Sequence, residues 1–421
     1  MSFLEILRTI IMVINVITMA ILLYQVGLAF FCMKKRPERR PVMEKNHRFG
    51  VIISARNEET VIGHLVKSLV QQDYPRDCFD VIVIADNCTD ETAKAARDAG
   101  AVVYERFDEV HKGKGYALAW IFDILFHKEK KEYDAFCIFD ADNLVDKGYL
   151  ASMNQQLCCG VDAAQGYRGI KNPGDSWVSG SYAIYFWTVT RFFMCARDNA
   201  GFSCFASGTG FMFRSDLVRE DGWSTNTITE DTEFSVQQIL KGRRVVFNEN
   251  AIFYDEQPTK FGQSIRQRYR WSVGNVQCLV RYLPIIWKEG RKKLRFSAFM
   301  DLMIYLIAMP ITGLVVINTV LTVVLTCLIE SNPFLVLLYT LLPIVGCWVV
   351  MFFEGVLAVR AEKKRFSSVL KGLFGWPIFL YSWMYINLTA FFYRDTTWKP
   401  IAHTKSVGID EVDGGDQRQA G

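Results

Sequence analysis

"FCIFDADNLV", residues 136–145, joins an apolar run to two carboxylates that a single alanine separates. The run is typical of a buried strand, and side chains two residues apart in an extended chain point to the same side. Asp140 and Asp142 should therefore face one side where the strand ends. Two like charges this close suit a hard divalent cation, which takes oxygen ligands and commonly bridges carboxylates to phosphate. For this pair alone, a solvated strand end with helix-capping acids is the alternative interpretation.

Strands and helices alternate in the sequence before this stretch. Continuous apolar strands joined by helical crossovers predict a parallel sheet that is covered on both faces. In such sheets ligands bind beyond the carboxyl ends of the strands, where Asp86 and Asp140 both stand. The predicted strands are 49–55, 79–86, 101–105 and 135–142, and the predicted helices are 59–71, 89–99 and 115–126.

The composition indicates a soluble domain joined to membrane segments. The 421 residues are 51% hydrophobic and 22% charged, too apolar for an ordinary soluble protein and too charged for one embedded throughout. Four uncharged runs, each long enough to cross about 30 Å of hydrocarbon, lie at 10–31, 302–329, 334–353 and 372–393. The expected parts are a transmembrane helix in 1–33, a soluble domain in 45–290, transmembrane helices in 298–393 and a tail in 394–421.

Basic clusters lie beside three of these runs, within residues 34–40, 291–295 and 360–365. The positive-inside rule predicts a multi-pass protein of the cell membrane whose soluble domain and tail are cytoplasmic. The small net charge of +4 is concentrated at the membrane surface. We therefore expect membrane lipids, and no nucleic acid, among the partners.

Two familiar nucleotide-binding patterns are absent from the sequence. No GxGxxG opens the first helix, and "HKGKGYAL", residues 111–118, lacks the glycine spacing of a P-loop. An NAD-dependent enzyme and an NTPase are therefore disfavoured.

A second acidic stretch, "TITEDTEF", spans residues 227–234 at the start of a predicted helix, 232–240. Acids in a first helical turn are stabilised by the helix dipole, which is a sufficient structural explanation for Glu230, Asp231 and Glu233. A functional acid at this place could instead accept a proton from a substrate hydroxyl.

A basic and aromatic helix follows in "SIRQRYRWSVGNV", residues 264–276. Gln267, Arg270 and Trp271 are spaced to share one helix face, which offers an amide, a fork for phosphate and a flat ring for a sugar. An interfacial membrane anchor is the alternative.

Together these motifs resemble a known family. Asp86, "DAD" at 140–142, "TED" at 229–231 and "QRYRW" at 267–271 occur in the order and spacing of membrane-embedded family 2 glycosyltransferases. The pattern is similar to that of the processive synthases of hyaluronan, cellulose, chitin and poly-N-acetylglucosamine. The resemblance covers about residues 49–274. It implies an α/β fold with a GT-A-like (Rossmann-type) cytoplasmic glycosyltransferase domain, plus α-helical transmembrane segments.

The resemblance implies a donor half of the site. Asp86 should bind the uracil ring of a UDP-sugar, and Asp140 and Asp142 should bind UDP with Mg²⁺ or Mn²⁺. Lys114 matches the family's basic residue near the nucleotide. "SARNEE", residues 54–59, resembles the first nucleotide-binding loop, although the family more often has Pro-Ala-Tyr-Asn there. Ala85 stands where the family has the first Asp of its Asp-Asp-Gly-Ser-Thr-Asp stretch.

The resemblance also implies a catalytic and acceptor half. Asp231 should be the general base, with Glu230 beside it as the second catalytic candidate. Gln267 and Arg270 should clamp the pyrophosphate. The residues expected at the acceptor are Trp271 and the loop residues Gly208, Thr209 and Gly210 of "SGTGFMFR".

The function expected first is an inverting β-glycosyltransferase that extends a polysaccharide at the inner face of the membrane. The alternative in the same reaction class adds sugar to a membrane lipid. A transporter or scaffold with an idle domain is disfavoured because charges within the membrane runs are sparse. Because about four crossings enclose only a small channel, either the acceptor is a lipid or an accessory membrane subunit is needed.

Two further segments bear on the membrane. Residues 175–193 predict either an amphipathic interfacial helix, with Trp177, Tyr182, Phe186 and Trp187 as lipid contacts, or a buried core helix. The last apolar run contains Pro377, which predicts a broken or re-entrant segment. The tail "TWKPIAHTK" loosely resembles the tail motif of hyaluronan synthases, which implies a cytoplasmic position for Trp398, His403, Thr404 and Lys405.

Overall fold

The computed structural model describes residues 2–34, 39, 41–42, 44–220, 222–392 and 409. The four tail residues named above, Trp398, His403, Thr404 and Lys405, lie outside the described residues. So do residues 35–38 and 40 of the first basic cluster.

One sheet of eight strands organises the soluble domain. The strands are β1 Phe49–Ala55, β2 Phe79–Asp86, β3 Val102–Arg106, β4 Ala135–Asp140, β5 Leu144–Val145, β6 Ala163–Ile170, β7 Phe211–Arg214 and β8 Val245–Asp255. Their order is β3-β2-β1-β4-β7-β6-β8-β5. The predicted parallel sheet is confirmed for the first four strands. In the other half β7 runs antiparallel to β4 and β6, and β5 runs antiparallel to β8, so the complete sheet is mixed.

The described residues form fourteen α-helices. They are α1 Phe3–Ala29, α2 Ile62–Val70, α3 Thr92–Asp98, α4 Lys114–Asp123, α5 Tyr149–Cys158, α6 Trp177–Thr188, α7 Ala196–Ala200, α8 Asp216–Arg219, α9 Glu230–Leu240, α10 Phe261–Ile285, α11 Arg291–Lys293, α12 Phe296–Ile329, α13 Pro333–Ala361 and α14 Leu370–Thr389.

Apolar layers cover both faces of the parallel strands. Val51 and Ile53 of β1 pack into the core that includes α2 and α5, whereas Ile52 packs into the core that includes α4. Successive side chains of a strand point to opposite faces, so a strand buried on both sides is apolar at every position. This is why the continuous apolar runs of the sequence predicted β1, β2 and β4 correctly.

Three helical segments are long and apolar enough to cross a membrane: Phe3–Met33, Phe296–Ile329 and Pro333–Ala361. They correspond to the first three predicted runs. The fourth run forms α14, which is not among the candidate spans found in the described residues. The expected break at Pro377 is wrong, because α14 continues through this proline. Pro377 is buried together with Trp376 and Phe379, and this packing offsets the backbone hydrogen bond that proline cannot donate.

Helix α6 lies in the core, not at a lipid surface. Tyr182, Phe186 and Trp187 are buried, so the lipid contacts predicted for these three residues are wrong. The ring of Trp177 packs 5.1 Å from that of Phe261. The reason is tertiary: α14 packs on α6 through a common apolar cluster that the sequence pattern of α6 alone cannot reveal.

The crossing of α6 and α14 depends on two glycines. A Cβ added at Gly372 would lie 2.4 Å from the carbonyl carbon of Gly180. Gly372→Ala should therefore force the helices apart and cost about 1–3 kcal/mol, as overpacking typically does. The melting temperature of the purified protein in detergent measures this loss.

Gly63→Ala is the matched control, because a Cβ at this helical position meets nothing within 4 Å. It should leave the melting temperature unchanged or raise it slightly. If both variants melt like the wild type, the close approach of the two helices is wrong.

Candidate active site

The strand register places the first two acids at one edge of the sheet. Ser54 of β1 is level with Ile84 of β2 and with Asp140 of β4. Asp86 follows two residues after Ile84, and two strand spacings of about 4.8 Å separate β2 from β4, or about 10 Å across the sheet. The prediction that distant segments deliver acid to the same edge is confirmed.

Asp86 is held by an arginine that the sequence motifs did not reveal. Nη1 of Arg106, at the end of β3, donates to Oδ1 of Asp86 over 2.6 Å, and both side chains are buried. The Asn87 amide donates to the same oxygen over 3.0 Å. Burial raises the pKa of Asp86, although the guanidinium opposes this rise. The result is a buried carboxylate held by two donors at the end of β2.

Lys114, at the start of α4, connects three of the predicted motifs. Its ammonium donates to Oδ1 of Asp140 and, over 2.6 Å, to the carbonyl of Gly208. The same nitrogen lies 3.9 Å from Oε1 of Glu230. Burial lowers the pKa of Lys114, but the carboxylates of Asp140 and Glu230 outweigh it, so the pKa is raised overall and the amine stays charged.

The glycine-bearing loop, residues 207–210, lies between the "DAD" and "TED" motifs. Its Gly210 N–H donates to the Ile138 carbonyl over 2.8 Å, and the Thr209 hydroxyl accepts from the Asp140 N–H over 3.0 Å. Gly210 has a φ of +64°, and a Cβ there would lie 2.0 Å from the Phe253 ring, so only glycine fits. The Thr209 side chain is buried and anchors the loop, so only the loop's backbone could meet an acceptor at this residue.

Asp231 lies beside this loop, in the first turn of α9. A Cβ added at Gly208 would be 3.6 Å from Oδ2 of Asp231, and the Thr232 N–H donates to the other oxygen over 2.7 Å. Burial raises the pKa of Asp231, against this hydrogen bond and against Lys114. Burial also raises the pKa of Glu230 to about 7. A carboxylate with a raised pKa is a better proton acceptor.

The third acid of the cluster is structural. Glu233 is buried, accepts from the N–H groups of Asn226 and Thr227 over 2.7 and 2.6 Å, and accepts from the Tyr282 hydroxyl over 2.8 Å. It fixes the turn that precedes α9.

Aromatic side chains from two further helices lie near Asp231. The Tyr185 hydroxyl of α6 is an electrostatic neighbour of Asp231, and burial raises its pKa to about 12. Tyr305 of α12, whose ring stacks on Phe205 with centroids 3.4 Å apart, lies near both Thr232 and Asp231. A candidate membrane-spanning helix therefore contacts the segment that leads into the 207–210 loop beside Asp231, which the local motifs did not indicate.

The face of α10 that carries Gln267, Arg270 and Trp271 is partly buried. The Trp271 ring packs among Tyr182, Phe186 and Trp383, with centroids 6.0–6.4 Å away. Oε1 of Gln267 is buried and finds no hydrogen-bond partner among the described residues. Among the residues that the structure describes, no hydrogen bond or ion pair joins Arg270 to Asp140 or Glu230.

The neighbouring arginine of this helix is an anchor. Arg268 is fully buried, and its Nη1 donates to the Phe379 carbonyl over 2.8 Å and to the Ser382 hydroxyl over 2.9 Å. It fastens α10 to α14.

The donor set fits a nucleotide-bound divalent cation. Asp140 and Asp142 are the two carboxylates at the end of β4, and no group of three or more His, Cys, Asp or Glu side chains in the described ranges could hold a metal. Mg²⁺ and Mn²⁺ are hard cations, and Mg²⁺ is usually bound through one or two carboxylates plus substrate phosphates and water. The residues therefore suit a cation that arrives with a diphosphate better than a closed protein cage.

The α/β domain with its mixed sheet has the GT-A fold of glycosyltransferases. Residues 47–274, more than half of the chain, match the family described as "Glycosyltransferase like family 2". The protein belongs to this family. The predicted fold class and enzyme class are thereby confirmed, whereas the narrower resemblance to processive polysaccharide synthases stays a prediction.

Curated relatives support the same class. The chain is 27% identical over 277 residues to the probable glycosyltransferase YdaM of Bacillus subtilis, covering 62% of this chain and 63% of that protein. It is 28% identical over 298 residues to the beta-monoglucosyldiacylglycerol synthase of Synechocystis sp., covering 65% of this chain and 59% of that one. The matches thus span about three fifths of the length of these two relatives.

A solved structure has the same fold. The mannosyltransferase PcManGT from Pyrobaculum calidifontis, in complex with GDP-Man and Mn²⁺, is 18% identical and superposes with a TM-score of 0.59. The superposition covers 86% of this chain and 99% of that one. The chain is therefore a family 2 glycosyltransferase with three candidate membrane-spanning helices among its described residues.

The pH dependence of sugar transfer tests the environment of Asp231. A general base must be deprotonated, and burial raises the pKa of both Asp231 and Glu230. Activity should therefore be lost as the pH falls through these raised values. We expect an acid limb of kcat/KM between the ordinary aspartate pKa of about 4 and the pKa of about 7 at Glu230.

Glu230→Gln supplies the comparison, because it removes a neighbouring negative charge and should move the acid limb to lower pH. A limb at the ordinary aspartate value in the wild type, or one that Glu230→Gln leaves in place, would show that this carboxylate pair does not control transfer.

Proposed function

We propose that this protein transfers a sugar, with inversion at the anomeric carbon, from a UDP-sugar to a hydroxyl group of a membrane lipid. The observation that carries the proposal is the position of Asp231. This residue adjoins the Gly208 loop, which Lys114 connects to Asp140. The segment that leads into this loop reaches a candidate membrane-spanning helix, because Phe205 stacks on Tyr305 of α12.

The donor half of the proposal uses the sheet edge. The Asp86–Arg106 pair supplies a fixed carboxylate for the nucleobase, and Asp140 and Asp142 would hold Mg²⁺ or Mn²⁺ with the diphosphate. When bound, the cation would offset the negative charge that builds on the leaving diphosphate. Lys114 carries a charged amine at the same place and stabilises that charge in the same way.

The chemical step requires one proton transfer. Asp231 accepts the proton of the acceptor hydroxyl as the oxygen attacks the anomeric carbon from the face opposite the diphosphate. The sugar–phosphate bond breaks and the sugar–acceptor bond forms in one displacement. An α-linked donor therefore gives a β-linked product.

Two observations favour a lipid acceptor. The loop beside the proposed base is joined to α12 through the stacked rings of Phe205 and Tyr305, so the site lies close to a candidate membrane-spanning helix. One relative is named for making beta-monoglucosyldiacylglycerol, which is a glycolipid. The proposed arrangement is multi-pass, with the catalytic domain cytoplasmic, as the basic clusters beside the candidate spans favour.

A growing polysaccharide is the second candidate acceptor. The feature that favours it is the helix carrying Gln267, Arg270 and Trp271, in the spacing of the processive synthases. Three candidate spans in the described residues enclose little space for a polymer, so this reaction would need an accessory membrane subunit.

Asp231→Asn tests the proposed base. The variant keeps the shape of the side chain but cannot accept the proton, so the rate of transfer should fall by about 10²–10⁴-fold. Binding of UDP with Mn²⁺, measured by calorimetry, should stay nearly unchanged. Asp216→Asn is the control, because this exposed acid of α8 pairs with Arg214 of β7 and the substitution should leave both quantities unaffected. Loss of UDP binding in Asp231→Asn would assign the residue a different role.

Product analysis tests the acceptor and the donor together. Purified protein in detergent with added lipid is incubated with Mg²⁺ or Mn²⁺ and individual UDP- and GDP-sugars, and nucleotide release and product size are measured. We expect UDP release and an extractable glycolipid. High-molecular-weight material would favour the polysaccharide, release of GDP alone would contradict the donor, and no turnover would contradict the proposed function.

A further inference from the structure

Asp255, which none of the motifs includes, is a buried junction at the end of β8. Its Oδ1 accepts from Nδ2 of Asn143 over 3.1 Å. Its Oδ2 accepts from Nη1 of Arg168 over 3.1 Å and from Nε2 of Gln257 over 3.0 Å. A buried carboxylate needs such partners. Here Asn143 and Arg168 also contact two different parts of the site.

The first part is the pair of predicted cation ligands. Nδ2 of Asn143 also lies 3.3 Å from Oδ1 of Asp142, and Oδ1 of Asn143 accepts from the Asp140 N–H over 3.3 Å. The Thr209 hydroxyl donates to the same amide oxygen. One amide thus fixes the orientation of Asp142 relative to the backbone of Asp140.

The second part is the backbone beside the proposed base. Nη2 of Arg168 donates to the carbonyl of Ser207, and the guanidinium packs over the rings of Phe186 and Phe253 at 4.3 and 5.6 Å. Ser207 directly precedes Gly208, which lies next to Asp231. Rotation of the guanidinium would therefore displace the backbone beside the base.

We propose that Asn143, Asp255 and Arg168 form a positioning unit that holds the cation-binding carboxylates and Asp231 at a fixed separation. The inference rests on the proposed function, since it concerns the same site. A buried ion pair is weak evidence for stability, because desolvation offsets much of its attraction. Small displacements of catalytic groups, by contrast, reduce rates strongly. We therefore infer a positioning role from the two sites that the unit contacts, namely the cation-binding carboxylates and the backbone beside Asp231.

Asp255→Asn tests the first end without requiring any turnover. The substitution keeps the volume but removes the charge that holds Asn143 and Arg168. The affinity for Mn²⁺ is measured in the presence of UDP and, in a separate series, in the presence of GDP. The free Mn²⁺ signal in electron paramagnetic resonance gives the unbound concentration. We expect a loss of about 10–100-fold, the usual effect of removing a partner that orients a metal ligand.

The chain offers a matched control in the Arg197–Asp301 pair. Its N···O distance is also 3.1 Å and its side chains are buried, but it lies where α7 meets α12. Asp301→Asn should lower the melting temperature about as much as Asp255→Asn and leave Mn²⁺ affinity unchanged. If Asp255→Asn does not fold, Asn143→Ser removes the amide and leaves the Arg168–Asp255 pair in place.

Arg168→Lys tests the second end. The variant keeps the positive charge but loses the fork that contacts Asp255 and Ser207 together. We expect kcat to fall by about 10–100-fold, while KM for the donor changes much less. A purely structural arginine would instead lower kcat only in proportion to the fraction of protein that is folded.

Each outcome decides between the two proposals. Equal Mn²⁺ affinities for Asp255→Asn and Asp301→Asn overturn the positioning unit. A wild type that binds Mn²⁺ with nucleotide but transfers no sugar contradicts the proposed function. The Mn²⁺ affinities of the variants still test the positioning unit in that case. A wild type that binds no Mn²⁺ with either nucleotide contradicts both.

Discussion

The ammonium of Lys114 balances the charge of carboxylates from two distant parts of the sequence. It donates to Asp140, lies 3.9 Å from Glu230 and opposes the rise that burial causes in the pKa of Asp231. Several acids in a partly buried space would repel one another and take up protons unless a cation compensated them. The site is therefore built around fixed positive charge, to which a divalent cation with its diphosphate could be added. The glycine turns of the 207–210 loop let the backbone approach this centre closely enough for its carbonyl to share the ammonium.

Polar contacts fasten the α/β domain to the candidate membrane-spanning helices. Glu362, at the end of α13, accepts from Arg191 over 2.7 Å and from the Tyr167 hydroxyl of β6 over 2.8 Å. Asp301 of α12 forms an ion pair with Arg197 of α7 over 3.1 Å. Such contacts restrict rigid-body motion between the sheet and the helices, because breaking one leaves a buried charge unpaired. A membrane-bound acceptor could thus meet a preorganised site.

The sequence predicts the donor half of the fold and site better than the rest. β1, β2 and β4 are continuous apolar runs that the local sequence alone identifies as strands. The strand pattern therefore assigns Asp86 and Asp140 to one edge of the sheet. The partners of these acids could not be predicted in this way. Arg106 and Asp255 become neighbours of the site only through strand pairing across long stretches of chain, and their spacing carries no motif.

The second half of the sheet and the membrane-side helices were harder for a related reason. β6 contains Gly166, Arg168 and Gly169, which weaken a strand pattern, yet all three are buried because β7 and β8 flank the strand. The burial of α6 likewise depends on α14, almost two hundred residues later in the chain. Tertiary packing determines the structure in both cases, and local sequence periodicity carries no information about such packing.

The location of bound Mn²⁺ tests the central claim most directly, and anomalous diffraction from crystals grown with Mn²⁺ and UDP would give it. We predict one strong peak beside the Asp140 and Asp142 carboxylates, with the diphosphate toward Lys114. A peak elsewhere, or a diphosphate bound away from the carboxyl end of β4, would contradict the account.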